Sequence, residues 1–308
     1  MGDQVLGIVA GLGVGFVAAR LMWILMRPML SAPVFLRSNY RDHQLPTAGG
    51  LVIVCAALLV EMFRILLSAM GVGESLTLSS LRIPTLLGAL GFALLGLIDD
   101  LGATGASRGF KGHVRSILRG RLSTGAVKLL GGAMVAMLVA SQFSSRRAVT
   151  ASDLSTFISR ATNVGWLLGD ASLIALSANV GNLFDRAPGR TIKVSALCFF
   201  AIAIGALVAG DWLSLAPVAV VVGAALGLLV DDLREHTMLG DTGANVLGAV
   251  VAIAVAANGS TSVRLVLLVV VIGLNGAAEL VSLSRVIERT PLLRAVDRAG
   301  APHRRQSR

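Results

Sequence analysis

Charged residues are scarce in this chain. Asp, Glu, Lys and Arg make up 14% of its 308 residues, whereas a water-soluble domain averages about 25%. The length alone would allow two soluble domains, but so few charges could not cover their surfaces. Aromatic residues account for 5% and hydrophobic residues for 55%, with a mean hydropathy of +0.80. The sequence therefore predicts an integral membrane protein, in which Leu, Val, Ala and Ile dominate and glycines allow close helix packing.

Cysteine is scarce as well, since only Cys55 and Cys198 occur and they lie in separate apolar runs. We expect packing roles for them rather than a disulfide or a metal-binding pair. The net charge of +10 does not indicate nucleic-acid binding, because the basic residues are spread between apolar segments and form no continuous stripe. The positive-inside rule accounts for such loop charges in a membrane protein.

Nine apolar segments predict membrane-spanning helices, for which about 20 mainly apolar residues are needed. No basic segment precedes the first one, so we expect a retained span and not a cleaved signal. Gly7, Gly11 and Gly15 give this first segment a small-xxx-small stripe typical of helix packing. The predicted fold is an all-α polytopic transmembrane bundle over residues 1–285, followed by a basic tail over 286–308. The segments lie near 4–26, 48–69, 83–98, 125–143, 163–184, 192–210, 213–230, 242–257 and 263–283.

The distribution of Lys and Arg predicts which side each loop faces. With the N-terminus outside, the inner loops hold 19 basic residues and the outer segments hold five. This bias predicts an outside N-terminus and a cytoplasmic C-terminus. It also places six aspartates at the cytoplasmic ends of four spans: Asp99, Asp100, Asp185, Asp231, Asp232 and Asp241.

Carboxylates at one membrane depth repel each other unless cations occupy the site. Asp99 and Asp100 close an apolar segment and could be solvated helix ends, although acids at a helix C-terminus oppose the macrodipole. Alternatively they bind Mg²⁺, which takes one or two carboxylates plus phosphate oxygens. Asp241 either caps the helix that follows it or joins a phosphate site at that N-terminus.

Polar residues at the end of the fifth segment form a second candidate element. Asn179, Asn182 and Asp185 are three residues apart and share one helix face. Buried amides often bond across helices, so an interhelical role stays open beside a functional one. Arg186 and Arg190 follow and could donate to phosphate, or they could be ordinary positive-inside charges.

Two loops at the same face have alternatives of their own. The turn from Leu45 to Gly50 opens the second segment, and its backbone amides could line a polar pocket or simply begin the helix. In the loop over 99–128, an apolar stripe that includes Phe110 runs beside a basic stripe that includes Lys111. This pattern fits either a short interfacial helix or a solvated basic loop.

In their order along the chain, these elements resemble the polyprenyl-phosphate N-acetylhexosamine-1-phosphate transferases. That superfamily includes the phospho-N-acetylmuramoyl-pentapeptide transferases of peptidoglycan synthesis. The resemblance covers roughly residues 40–285, including Glu279, and its motifs are short but ordered. They are Pro46-Thr-Ala-Gly-Gly, Gly-Leu-Ile-Asp99-Asp100, Lys111-Gly, Lys128-Leu-Leu-Gly-Gly, Asn179-x-x-Asn182-x-x-Asp185 and Gly240-Asp241-Thr-Gly.

The resemblance implies a transferase of the bacterial inner membrane with a cytoplasmic active face. It would move a sugar 1-phosphate from a UDP-activated N-acetylamino sugar to undecaprenyl or decaprenyl phosphate, releasing UMP, with Mg²⁺ or Mn²⁺ as cofactor. Membrane lipid is an implied partner, nucleic acid is not, and a homodimer is among the assemblies it allows. Asp99, Asp100 and Asp241 would be catalytic, with Asp100 and Asp241 as metal ligands. The residues expected to bind substrate, by resemblance or by their charge, are Lys111, Lys128, Asn179, Asn182, Asp185, Arg186 and Arg190.

Three departures from the family pattern keep a second hypothesis open. Arg186 and Pro188 replace a usual Gly and a second Asp, and Asp231 stands where Asn is common. Relatives carry a His-rich motif and a tenth span near the C-terminus, where this chain has a basic tail with only His303. The chain is thus either an active transferase or a catalytically weakened relative that binds polyprenyl phosphate or UDP-sugar and regulates envelope synthesis. A transporter is disfavoured, because the acids cluster at one face and no internal repeat is found.

Overall fold

The computed structural model describes residues 2–73, 81–102, 124–144, 155–210 and 213–301. Within these ranges, nine helices are long and apolar enough to cross a membrane. This confirms the predicted polytopic helical bundle, with one helix on each predicted segment. The helices are α1 Gly2–Leu30, α2 Gly50–Ala69, α3 Arg82–Gly102, α4 Thr124–Ser144, α5 Ser155–Phe184, α6 Arg190–Ala209, α7 Ala216–Leu233, α8 Gly240–Asn258 and α9 Thr261–Leu280.

Several helices extend beyond the apolar segments that predict them. Helix α3 continues to Gly102, so Asp99 and Asp100 lie within its last turn and not after it. Helix α1 likewise runs on to Leu30. Hydropathy marks only the apolar part of a helix, whereas backbone hydrogen bonds carry the helix into polar residues.

Helix α8 is the central element of the bundle, since 83% of the residues in its apolar stretch are buried, against 11% for α9. Its neighbours approach it closely at glycines. A Cβ at Gly50 in α2 would overlap the α8 backbone at Gly243, and a Cβ at Gly96 in α3 would overlap the backbone of Asp241. A Cβ at Gly181 in α5 would likewise overlap an α8 carbonyl. Small residues therefore bring three helices against the start of α8.

The glycine stripe of α1 packs along α7, which confirms its predicted packing role. A Cβ at Gly11 would lie 2.8 Å from the carbonyl oxygen of Ala216, and one at Gly15 would overlap the backbone of Val220. The opposite face of α1 exposes large aliphatic side chains such as Leu6 and Ile24. Such a face suits contact with lipid chains.

Buried ion pairs hold the bundle together away from the predicted site. Arg264 in α9 donates to both carboxylate oxygens of Asp170 in α5 at 3.0 Å, and its guanidinium lies 4.2 Å from the Trp166 ring centroid. Arg82 in α3 donates to Glu61 in α2 at 3.2 Å. Charges within a membrane are costly unless they are paired, so these pairs fix the neighbouring helices to one another.

Helices α3, α5 and α7 end, and helices α2, α6 and α8 begin, at one side of the bundle, which we call the carboxylate face. The remaining elements lie at this face. Strands β1 (Leu36–Ser38) and β2 (Gln44–Pro46) form an antiparallel hairpin there. Two short helices follow α9, namely α10 (Leu283–Arg289) and α11 (Pro291–Arg298). The sequence predicts a basic tail from residue 286, whereas the described part of that segment is mostly helical. Residues 302–308, with His303, lie outside the described residues.

Candidate active site

The N-terminus of α8 lies at the carboxylate face and is capped by Asp100 from α3. The first N–H groups of a helix have no partner within the helix. The Asp100 carboxylate accepts from the N–H groups of Asp241 and Thr242, both at 3.0 Å, and from the Thr242 hydroxyl at 2.6 Å. Gly240 has a φ of +70°, and a Cβ there would lie 2.7 Å from an Asp100 oxygen. Only glycine therefore fits at this position.

Two further carboxylates complete the capping of α8. Asp185 accepts from the N–H of Gly240, and Asp232 accepts from the N–H of Leu239. Asp232 also accepts from the N–H of Gly189 at 2.7 Å, which ties the loop before α6 to α7. The N–H groups of residues 239–242 thus all lie next to acids from other segments, and those of Asp241 and Thr242 donate to Asp100. The positive end of the α8 dipole stabilises charges that would otherwise repel one another.

The Asp241 side chain meets three polar side chains from three other helices. Its carboxylate pairs with the Lys128 ammonium of α4, and Asp99 of α3 lies 3.6 Å from the same nitrogen. The Asn182 side chain of α5 hydrogen-bonds the Asp241 carboxylate. We call Asp99, Lys128, Asn182 and Asp241 the polar cluster. All four are residues that the sequence predicts for the site, and the structure brings them together.

Asp185 lies just after α5, beside the polar cluster. Desolvation raises the pKa of its carboxyl well above the ordinary value, and the charges of Asp232, Asp241 and Asp100 raise it further, in that order. The hydrogen bond from Gly240 acts in the opposite direction but is weaker. A cation that binds next to Asp185 would relieve this repulsion.

The polar cluster suits a divalent cation only together with ligands from a substrate. Among the described residues, no group of three or more His, Cys, Asp or Glu side chains is placed to hold a metal ion by itself. Mg²⁺, however, usually keeps several waters and takes only one or two carboxylates plus phosphate oxygens. Asp99 and Asp241 fit that role, because a cationic group, Lys128, already lies against both.

Asp100, predicted as a metal ligand, has a capping role in the structure, and its role as a metal ligand stays a prediction. Both of its oxygens already accept hydrogen bonds from the first turn of α8. The geometry therefore assigns Asp100 to capping and leaves Asp99, its neighbour in sequence, facing the polar cluster. The sequence could not separate the two, because adjacent acids look alike until the position of α8 is known.

Two cavities share Arg186 in their linings, and the second is also lined by members of the polar cluster. The first has a volume of about 290 Å³ and a mixed polar and apolar lining that includes Tyr40, Asp185 and Glu235. The second, about 570 Å³, lies between α4, α5 and α9 and has a mainly apolar lining, with Lys128 and Asn182 at its polar part. Arg186 lines both cavities. This residue therefore lies between a cavity of mixed lining and a mainly apolar one.

Arg190 does not reach the polar cluster, which corrects its prediction as a phosphate donor. The residue is 2% exposed, and its side chain donates to both oxygens of Asp297 in α11, at 2.7 and 2.9 Å. It also donates to Ser284 at 2.8 Å. A buried guanidinium held in this way is not available to a phosphate. The charge pattern alone could not show it, since the partner lies 107 positions later in the chain.

The two amides of the fifth segment have different partners. Asn179 donates to the side-chain oxygen of Asn275 in α9 at 2.6 Å, and Asn275 donates to the Leu176 carbonyl at 3.2 Å. This contact is the interhelical role that the sequence left open, whereas Asn182 belongs to the polar cluster. Lys111 and the interfacial helix predicted around it lie outside the described residues.

The Pro46–Gly50 turn has a structural role instead of lining a pocket with its amides. The N–H groups of Gly49 and Gly50 donate to the carbonyls of Met238 and Leu239, at 3.0 and 2.9 Å. The N–H of Met238 in turn donates to the Pro46 carbonyl at 2.7 Å. The turn therefore holds the segment just before α8, and with it Asp241, in place.

Sequence reasoning missed two amides and a tyrosine. Asn245 lines the second cavity, as does Asn275. Each is an amide within an apolar span, where a polar side chain is costly unless it has a bonding or functional role. A search of every span for such amides would have found them. Tyr40 donates to Glu235 at 2.9 Å, and no local signal joins residues so far apart in the chain.

Comparison with known proteins agrees with the geometry. No family model matches this chain. A phospho-N-acetylmuramoyl-pentapeptide-transferase from Halalkalibacterium halodurans is 29% identical over 232 residues, which cover 72% of this chain and 63% of that relative. The protein of the same name from Geobacillus kaustophilus is 28% identical over 256 residues, which cover 82% of this chain and 71% of that relative. The chain thus spans less than two-thirds of the first relative's length. The resemblance to the polyprenyl-phosphate N-acetylhexosamine-1-phosphate transferases is confirmed.

Proposed function

We propose that this chain, a relative of the phospho-N-acetylmuramoyl-pentapeptide-transferases, transfers a sugar 1-phosphate from a UDP-activated N-acetylamino sugar to a membrane polyprenyl phosphate. UMP is the second product, and the pathway is bacterial cell-envelope glycan synthesis. One observation supports the proposal: the mainly apolar cavity between helices is lined by Lys128 and Asn182 of the polar cluster, and it shares Arg186 with the cavity of mixed lining at the carboxylate face. We therefore assign a lipid acceptor to the apolar cavity and a water-soluble donor to the mixed one, with their phosphates near Arg186.

The reaction is a phosphoryl transfer between two phosphates. An oxygen of the polyprenyl phosphate attacks the sugar-linked phosphorus of the donor and forms a new P–O bond. The bond from that phosphorus to the bridging oxygen breaks, and UMP leaves with this oxygen. A phosphate monoester has a second pKa of about 6, so the acceptor is largely ionised at neutral pH. A strong general base is therefore not required, and catalysis reduces to positioning and charge neutralisation.

The residues of the polar cluster supply both requirements. The Lys128 ammonium neutralises phosphate oxygens, and Arg186 can bridge the donor and acceptor phosphates because it lines both cavities. Asn182 holds the Asp241 carboxylate in position. Asp185 and Asp100 keep the start of α8 fixed, so that Asp241 is presented from a rigid helix end.

Asp241 and Asp99 would hold a divalent metal, Mg²⁺ or Mn²⁺. When bound, the metal would supply positive charge that reduces the repulsion between the reacting phosphates. Lys128, which lies against both carboxylates, would add a second positive charge for the substrate oxygens. Asp99 replaces Asp100 in this assignment, for the geometric reason given above.

Each of the two cavities suits one of the two substrates. The first, with Tyr40 and Glu235 in its lining, offers aromatic and polar contacts to a nucleotide. The second, with Phe92 and Leu129 in its lining, offers an apolar wall to a prenyl chain. We place the carboxylate face in the cytoplasm, where UDP-sugars are available, and expect Lys111 to add a cation from the loop before α4.

Purified protein in liposomes with undecaprenyl phosphate, Mg²⁺ and labelled UDP-N-acetylglucosamine tests the proposal directly. We expect UMP release together with a labelled lipid product, and loss of both when the metal is chelated. Because Arg186 and Pro188 differ from the usual family pattern, the donor panel should include other UDP-amino sugars and the muramoyl-pentapeptide form. Failure of every donor, with an active relative in identical vesicles, would overturn the transferase proposal.

A second candidate function follows from the Lys128–Asp241 ion pair. Lysine already neutralises the acid that a metal would need, which would suit a relative that binds its ligands without turning them over. Such a protein would regulate envelope synthesis by sequestering polyprenyl phosphate or UDP-sugar. Saturable binding of either ligand without UMP release is the result that would favour it.

A further inference from the structure

Asn245 is a buried residue in the wall of the larger cavity. It is 1% exposed, and among the described residues neither its amide nitrogen nor its amide oxygen has a hydrogen-bond partner. It lines the cavity between α4, α5 and α9. It lies one helical turn after Asp241 on α8, which places it about 6 Å deeper along the helix axis.

An unpaired buried amide is costly. Burying such a group without a hydrogen bond destabilises a protein, and native structures pair almost all such groups. The other asparagines nearby follow that rule, since Asn179 and Asn275 bond to each other and Asn182 bonds to Asp241. Asn245 is thus the exception in this wall, and it faces a space large enough for part of a ligand.

The surroundings of Asn245 indicate the chemistry of that ligand. The wall beside it is mainly apolar and includes Phe92, Leu129 and Leu176. The cations lie towards the carboxylate face, where Lys128 and Arg186 line the same cavity. A ligand that matches this order has a phosphate near the cations and a hydrocarbon chain along the wall. Asn245 lies at the level where the two join.

We propose that the side-chain amide of Asn245 donates a hydrogen bond to a charged, non-bridging phosphate oxygen of the prenyl phosphate acceptor. This inference rests on the acceptor class in the proposed function and adds to it a binding residue on α8. Asn245 contacts the phosphate from the side facing the bundle interior, while Lys128 and Arg186 contact it from the side of the carboxylate face. Selection for a phosphorylated prenyl lipid over the free alcohol then depends on this amide.

Binding of undecaprenyl phosphate to the purified full chain, measured by native mass spectrometry without donor or metal, tests the inference. Asn245→Ala and Asn245→Leu should each weaken binding about tenfold, as expected for loss of one hydrogen bond to a charged group. Binding of undecaprenol, which has no phosphate, and of UDP-N-acetylglucosamine should not change. In the absence of lipid, Asn245→Leu should raise the midpoint of thermal unfolding, by about 2 °C, because it removes an unpaired polar group.

Asn258 on the same helix is the matched control. Its side chain is paired, since it accepts from the N–H of Leu213 at 2.7 Å and donates to the Ala254 carbonyl at 3.1 Å. Asn258→Leu should lower the unfolding midpoint and leave lipid affinity unchanged. The inference is overturned if the alanine variant binds undecaprenyl phosphate normally, or if UDP-N-acetylglucosamine binding falls instead. It is overturned equally if Asn245→Leu destabilises the lipid-free protein as Asn258→Leu does.

These outcomes separate the inference from the proposed function. If the unsubstituted protein binds no undecaprenyl phosphate, the acceptor assignment fails and Asn245 loses its ligand with it. If the unsubstituted protein and all variants bind equally, only the role of Asn245 fails. Loss of lipid affinity in the Asn245 variants supports the inference even if no donor is ever turned over.

Discussion

At the residue scale, two adjacent aspartates at the end of α3 serve two different neighbours. Successive residues of an α-helix project about 100° apart, so Asp99 and Asp100 reach different groups around the start of α8. Asp100 accepts hydrogen bonds from the first turn of α8, whereas Asp99 lies 3.6 Å from the Lys128 ammonium nitrogen. One short motif therefore both positions Asp241 and contributes to the site that contains it.

Alanine substitutions should separate these two roles. Asp100→Ala removes a helix cap, which typically costs about 1–2 kcal/mol, and should lower the unfolding midpoint by several degrees together with the transfer rate. Asp99→Ala should reduce UMP release at least tenfold while leaving the midpoint within about 1 °C. Thermal unfolding in detergent and UMP release in liposomes provide the two readouts. Equal thermal shifts for both variants would contradict the assignment.

Asp241 provides the sharpest test of the metal-facing role. Asp241→Asn keeps the shape of the side chain and removes its charge, so it should abolish transfer while the yield of folded membrane protein stays near normal. Asp42→Asn, in the exposed hairpin turn at the same face, should change the rate less than about twofold. Activity of Asp241→Asn within about threefold of the unsubstituted protein, a barrier change below about 0.7 kcal/mol, would make Asp241 a structural residue.

At the element scale, α8 depends on contacts that reach it from distant parts of the chain. The Pro46–Gly50 turn holds the segment before it, and Gly181 of α5 meets its backbone. Helix α11 depends on similar long-range contacts at the start of α6. There Arg190 pairs with Asp297, while Lys193 donates to the carbonyls of Val296, Asp297 and Ala299, at 2.6–3.2 Å. A basic residue at these carbonyls also suits the negative end of the α11 dipole.

The Arg190–Asp297 pair should therefore control docking of α11. Removing one partner leaves a buried charge uncompensated, which typically costs about 3–5 kcal/mol. Arg190→Ala and Asp297→Ala should each lower the unfolding midpoint and expose α11 to trypsin, and the double variant should lose less than the sum of the two. Arg298→Ala breaks the partly exposed pair with Glu288 and should cost under about 1 kcal/mol. Equal effects of Arg190→Ala and Arg298→Ala would contradict a docking role.

The helices could be predicted from the sequence, whereas their partners could not. Hydropathy alone locates all nine membrane-crossing helices of the described residues, because each apolar segment must satisfy its own backbone hydrogen bonds in lipid. The polar cluster could be anticipated because its four members lie at helix ends or within apolar spans, where polar groups are rare. The partners of Asp100 and Arg190 escaped prediction for one reason. Both bind groups more than 100 positions away, and no local pattern reports such a pairing.

At the scale of the whole molecule, the carboxylate face gathers all six aspartates that the sequence singles out. Three of them cap α8 or its preceding loop, and Asp231 pairs with Arg20 of α1 and lies 3.1 Å from His236. Of the six aspartates, only Asp99 and Asp241 belong to the polar cluster. A face built in this way serves a cytoplasmic nucleotide donor only if it lies inside the cell. The orientation is thus the condition on which the proposed function depends.

Cysteine labelling tests that orientation. The inner loops hold 19 basic residues and the outer segments five, and basic loops are retained on the cytoplasmic side. In a background with Cys55→Ala and Cys198→Ala, a membrane-impermeant maleimide should label Ser75→Cys in intact cells. It should label Ser307→Cys only after the cells are permeabilised. The reverse order would place the carboxylate face outside, away from cytoplasmic UDP-sugars, and the transferase proposal would then fail even if the polar cluster binds phosphate.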